Sequence, residues 1–354
     1  MPERLSSVDA FRGLTMAGMV IVNNPGTWDA IYWPLEHAEW NGWTPTDLIF
    51  PFFVFLVGVS LTLSWQTQLV TPGRIFERGL LIICLGLFMA GFPFFNLAHW
   101  RIPGVLQRIG LCYLAAAFIY RRTRNVKVIA AIVAALLLGY WLVLVRFGDL
   151  TPDGNIGARI DRALMGGHLW RPTWDPEGLL STVPAVATAL LGVLAGLWLR
   201  SQVQGERKVN VLALSGIAGV AAGQAWHILF PINKQLWTGS YVLLTAGAAA
   251  ILLAACMYLI DIRGIRAWSR PFIVLGRNAI TLFVVSGLIG KLLILIPIHE
   301  RDGTRTVLQS WIFDYGFAWI GPPQIASLAY AFLFLALMYG LCHFLYRRGI
   351  FLRA

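Results

Sequence analysis

Between Asn23 and Phe53 the chain gathers Glu36, His37, Glu39, Asn41 and Asp47 in one polar, Trp-rich loop, flanked by apolar segments, with Asn23 at its entrance. An imidazole among carboxylates and amides is the grouping best suited to moving protons near neutral pH. The aromatic residues have a simpler use, since Trp and Tyr are enriched where a membrane meets water. That use does not account for His37 and its polar neighbours.

Further polar residues lie within or at the ends of apolar runs, where they are costly in lipid and tend to face a cavity or a partner. Asp9 and Arg12 fall three apart, on one helical face, and form either an ion pair or a ligand contact. In RIPGVLQRIG, Pro103 suits a helix start, and a helix from 102 places Arg101 and Arg108 two turns apart on one face. In GRNAIT, Arg277 and Asn278 sit at the start of a window whose far end carries Lys291, which can snorkel. The loop 147–178 ends in DPEGLLST, where Asp175 and Glu177 are placed to cap the following helix. Asn233 and Lys234 occupy the rim of a later loop. His99, His168, His227 and His299 show no H-E-x-x-H or comparable spacing, so no metal is expected.

These groups need a scaffold, and composition defines it. Of 354 residues, 58% are hydrophobic and 13% charged, and the mean hydropathy of +0.68 lies outside the range of water-soluble chains. The chain reads as an all-α, polytopic membrane helix bundle forming a single transmembrane domain over 1–354. Ten windows are long and apolar enough to span a bilayer: 7–24, 46–66, 76–93, 102–120, 126–146, 179–199, 209–229, 238–260, 271–296 and 324–346. The first lacks a small-residue cleavage site and reads as a retained helix. Cys84, Cys112, Cys256 and Cys342 lie in apolar runs without paired spacing and read as core residues.

Lysine and arginine set the orientation. With the N-terminus inside, Arg4, Arg74, Arg78, the basic cluster 121–127, Arg200, Arg207, Lys208, Arg263, Arg266, Arg270, Arg347, Arg348 and Arg353 all face the cytoplasm. The longer outer loops carry fewer bases, Arg301 among them, and most of the acids, Asp302 included. Both termini are therefore expected inside. The net charge of +11 follows from this distribution and does not call for nucleic acid, because no single soluble basic patch exists.

No dinucleotide fingerprint, Walker loop or serine elbow is present. Five separated segments instead carry a resemblance: RLSSVDAFRGLTMAGMVIVNN, EHAEWNGWTPTDLIFPFFVFLVGVSLTLS, RIPGVLQRIG, DPEGLLST and NKQLWTGSYV, in that order. Together they resemble the membrane acyltransferase family of heparan-α-glucosaminide N-acetyltransferase, over nearly the whole chain. The resemblance implies transfer of an acetyl group from cytoplasmic acetyl-CoA across the membrane to the amine of a glucosamine. It implies that His37 matches the family's active-site histidine, Asn23 its companion asparagine, and Asp47 a polar family position. It also implies a homodimer, here in a bacterial inner membrane.

The residues support such chemistry in their own right. An ammonium attacks a thioester only after losing a proton, and His37 can accept it or can attack first and carry the acetyl group. Asn23 can donate to the oxyanion, while Glu36, Glu39 or Asp47 can orient the imidazole or hold the amine's charge. Glu36, Glu39, Asn41, Asp175, Glu177, Asn233 and Lys234 make up the candidate acceptor-binding set. Arg12, Arg74, Arg78, Arg277 and Asn278 are candidate partners for the phosphates of CoA at the inner rim, with Arg108 deeper in. Acyl transfer to a hydroxyl of an envelope polysaccharide, and an amino-sugar and proton permease, are the alternatives from other classes.

Overall fold

The computed structural model describes residues 5–65, 70–300 and 305–352 of the chain. Arg4, Arg301, Asp302 and Arg353, which enter the charge asymmetry, lie outside the described residues. The fold is helical, and among the described residues helix covers most of each of the ten apolar windows. In chain order these are α1 (Ser6–Asn23), α2 (Ile49–Ser64), α3 (Pro72–Gly91), α4 (Val105–Arg122), α5 (Val126–Phe147), α6 (Ile156–Met165), α7 (Thr182–Leu199), α8 (Gly205–His227) and α9 (Gly239–Cys256). They are followed by α10 (Arg270–Arg277), α11 (Ala279–Leu295), α12 (Leu308–Gly316) and α13 (Pro323–Arg347). One small exception to the all-α pattern is a two-stranded antiparallel ribbon, Pro297–His299 against Arg305–Val307.

Among the described residues, six helices are long and apolar enough to cross a membrane: α2 with its preceding turn, α5, α7, α8, α9 with its π-helical extension, and α13. The pair α10 and α11 makes a seventh if counted as one broken span. Charged residues explain why the other windows fall short: Asp9 and Arg12 in α1, Arg74, Glu77 and Arg78 in α3, and Arg108, Arg121 and Arg122 in α4.

Four sequence expectations are corrected. The helix expected from 102 begins at Val105, because Pro103 and an extended Gly104 hold the approach out of helical geometry, so Arg101 lies in the preceding loop and shares no helix face with Arg108. The continuous window 271–296 is broken at Asn278, where α10 and α11 meet at 80°. The loop 147–178 contains α6, started by Asn155, whose side chain accepts the Ala158 N–H at 2.8 Å. Cys84 also departs from its expected core position and is exposed.

The chain divides into two compact units: residues 1–37, 44–49 and 265–353 form one, and 38–43 with 50–264 form the other. Within the first, α1 and α10 touch backbone to backbone, since a Cβ on Gly13 would lie 1.8 Å from the Phe272 carbonyl oxygen and one on Gly276 would lie 1.9 Å from that of Asp9. Within the second, α2 and α7 interlock in the same way, Gly58 against the Ala189 carbonyl and Gly192 against that of Phe55. Small residues permit this approach where lipid supplies no hydrophobic drive for association. Gly58→Ala is therefore expected to destabilise the protein by about 1–3 kcal/mol or more, read as a lower unfolding midpoint in detergent.

Candidate active site

The polar loop between α1 and α2 is built from two short 3-10 turns, Trp33–Leu35 and Pro45–Leu48, each with a proline near its start. The second runs directly into α2. Thr44 and Asp47 form a reciprocal capping box there, and one carboxylate oxygen of Asp47 accepts the Thr44 N–H at 3.1 Å. The other accepts from His37 Nδ1 at 2.7 Å. The Asp47 side chain is 1% exposed and that of His37 47% exposed, so a buried carboxylate holds a half-exposed ring. An ionised carboxylate only accepts hydrogen bonds, which puts the imidazole proton on Nδ1 and makes Nε2 the basic nitrogen.

The backbone beside His37 is also tied down. Thr44 Oγ1 donates to the Glu36 carbonyl at 2.6 Å, and Thr46 Oγ1 to that of Pro34 at 3.0 Å. Of the three carboxylates able to orient the imidazole, Asp47 does so, while Glu36 and Glu39 are exposed. Thr44 escaped sequence reasoning, although T-x-x-D ahead of an apolar run is the signal for its box. Asn23 is the last residue of α1 and is exposed; its neighbour Asn24 is buried and donates to the Val20 carbonyl at 2.9 Å.

Other candidates in this unit serve as ties. Arg12 pairs with Asp9 at 3.2 Å, the ion pair that their spacing allows. Arg277 stacks on Tyr346 and Phe351, and Asn278 reaches back to the Val274 carbonyl at 3.0 Å, closing α10.

In the second unit, Asn233 is buried and donates to Asn41 Oδ1 at 3.1 Å, while its own Oδ1 accepts the Leu236 N–H at 2.8 Å. Lys234 is half-buried, Arg74 exposed and Arg78 half-buried. Asp175 and Glu177 do not cap α7, which starts at Thr182; both bind Arg101 instead, Asp175 through two bonds of 2.9 and 2.7 Å and Glu177 at 2.5 Å. Burial works against the Arg101 charge, but the bond to Asp175 and the two carboxylate charges outweigh it and hold its pKa above the ordinary guanidinium value. Arg101→Ala leaves two buried carboxylates without their cation and is expected to cost about 3 kcal/mol or more, with Arg101→Lys recovering part of it, as unfolding in detergent would register. Arg108 is enclosed, its Nη2 donating to the Gly178 carbonyl at 3.2 Å and to Ser181, and its guanidinium 5.0 Å from the centre of the Trp237 ring.

The family model for the catalytic region of heparan-alpha-glucosaminide N-acetyltransferase matches residues 4–230. The chain is also 30% identical to heparan-alpha-glucosaminide N-acetyltransferase of Homo sapiens over 356 residues, and 30% identical to that of Mus musculus over 353. The chain belongs to this family. Each alignment covers 80% of the chain and 53% of the relative, so the chain spans about half the length of the curated relatives it matches.

The family match contains Asn23, His37, Asp47, the Arg101 cluster and Arg108, whereas Asn233, Lys234, Arg277 and Asn278 lie beyond it. Among the described residues, no group of three or more His, Cys, Asp or Glu side chains could hold a metal ion. Within the matched region, Asp161 on α6 accepts the Leu179 N–H at 2.9 Å and so ties α6 to the approach of α7. Burial raises its pKa from 3.8 to about 6, with the Leu179 bond pulling the other way. The folded protein thus takes up a proton that the unfolded chain releases, and this contribution to stability is full below pH 3.8 and lost as pH rises through about 6. Asp161→Asn keeps an acceptor for Leu179 and is expected to flatten that part of the stability profile, measured as unfolding midpoints between pH 4 and pH 7.

Proposed function

We propose that this protein is a transmembrane acetyltransferase, carrying the acetyl group of acetyl-CoA from the cytoplasmic face to the amine of a glucosamine-type sugar on the other side. The observation that carries the reading is the His37–Asp47 pair, which lies inside the matched catalytic region with the His37 side chain half-exposed. His37 Nε2 takes the proton of the acceptor ammonium, and the freed amine attacks the thioester carbonyl. The tetrahedral intermediate then expels the CoA thiolate, which the imidazolium reprotonates, and the new amide nitrogen releases its second proton to solvent. In the two-step form of the same chemistry, Nε2 attacks first, CoA leaves, and the amine takes the acetyl group from the imidazole. Asn23, exposed at the end of α1, is assigned the oxyanion contact.

Ten spans with both termini inside accord with the basic inner and acidic outer loops. That orientation gives the cytoplasmic donor a basic face, where Arg12, Arg74, Arg78, Arg277 and Asn278 are assigned to its phosphates. Glu36, Glu39 and Asn41 are assigned to the acceptor, and the functional form is a homodimer in a bacterial inner membrane.

Sealed proteoliposomes test the reading. With labelled acetyl-CoA on the basic face and glucosamine on the other, labelled N-acetylglucosamine is expected in the glucosamine compartment. Glucosamine crossing the membrane unacetylated would replace the transferase with a permease, and label on a sugar hydroxyl would move the chemistry to O-acylation.

A further inference from the structure

Arg108 is the largest charged side chain wholly enclosed in the described fold, at 1% exposure. Only Nη2 is used; Nε and Nη1 have no hydrogen-bond partner among the described residues. The carboxylates within Coulombic reach are Glu177, Asp175 and Asp161; the first two are engaged by Arg101 and the third accepts the Leu179 N–H, so none of them bonds to Arg108. Trp237 covers the face of the guanidinium and is itself fixed by its Nε1–H to Thr188 at 3.1 Å and by the edge of Phe50. A tie to Gly178 and Ser181 needs one donor nitrogen and no charge. A permanently charged fork with two nitrogens left over exceeds that need, and burying it with no carboxylate bonded to it is costly even with carboxylates nearby. Such a cost is tolerated where a ligand completes the site.

We infer that Arg108, against the Trp237 ring, forms an oxyanion-binding subsite that takes a phosphate or carboxylate oxygen of one of the two substrates. The inference deepens the acetyltransferase reading and rests on it for the identity of those substrates. Both sources present the same chemistry: the phosphates of CoA, or a carboxylate on a sugar next to the acceptor glucosamine. Arg108 lies in the first turns of α4, at the end of that helix joined to the Arg101 loop, and it contacts the segment leading into α7.

Binding to the full chain in detergent tests this without turnover. Two probe pairs separate the sources: CoA against pantetheine, which lacks the nucleotide and 3′-phosphates, and a glucuronate–glucosamine disaccharide against glucosamine. Wild type is expected to prefer the charged member of one pair, and Arg108→Gln to lose that preference by about tenfold or more in Kd while binding the uncharged member as before. Arg108→Lys, which keeps the charge, is expected to retain part of it. A wild type with no preference in either pair overturns the inference even if Arg108→Gln fails to fold, and so does an Arg108→Gln variant that discriminates as wild type does. Either result beside intact acetyl transfer would remove the subsite and leave the function standing. A clear preference beside absent transfer would do the reverse.

Discussion

Asp47→Asn is expected to lower kcat for acetyl transfer about 100- to 10,000-fold with little change in KM for either substrate. Asp47 uses both oxygens as acceptors, one for the Thr44 N–H and the other for His37 Nδ1–H. An asparagine has one acceptor and one donor, so it cannot serve both. If its oxygen stays on Thr44, its NH2 faces the imidazole, Nδ1 becomes the acceptor, and the ring proton moves to Nε2, where it removes the base. If its oxygen faces the ring, the cap is lost, at about 1 kcal/mol, and two N–H groups are opposed. Steady-state kinetics combined with an unfolding midpoint separate these outcomes. A variant that keeps wild-type kcat would show that the imidazole needs no carboxylate partner.

Much of this site is legible in the sequence because its parts are local. His37 and Asp47 lie ten residues apart in one loop, and the proline and threonine positions that shape that loop are short-range signals. The helices are legible for a related reason, since an apolar run of spanning length has few other ways to satisfy its backbone. What the sequence hides depends on distant partners. Asp175 and Glu177 look like helix caps until Arg101, 74 residues away, is seen to claim them. The break at Asn278 has no proline to announce it, and Gly276 lies inside α10. α6 is short and amphipathic, so a search for spanning windows passes over it. The choice of Asp47 over Glu36 and Glu39 likewise needed burial, because only a carboxylate held inside has a fixed direction.

His37→Ala is expected to have the larger effect, a loss of turnover of at least about 1,000-fold, because it removes the proton acceptor of the direct route and the acetyl carrier of the two-step route alike. The fold should survive. The His37 side chain is half exposed, and the backbone ties from Thr44 and Thr46 do not involve its ring. Asp47 would keep its capping role, so any destabilisation should stay within about 1 kcal/mol. CoA binding should be unchanged, since no phosphate partner is touched.

Detergent-solubilised wild type and His37→Ala, supplied side by side with labelled acetyl-CoA and glucosamine while CoA affinity is measured on the same samples, test the central claim most directly. Labelled N-acetylglucosamine is expected from wild type alone, with equal CoA affinity in both. Near-wild-type turnover from His37→Ala would place the base elsewhere and contradict it.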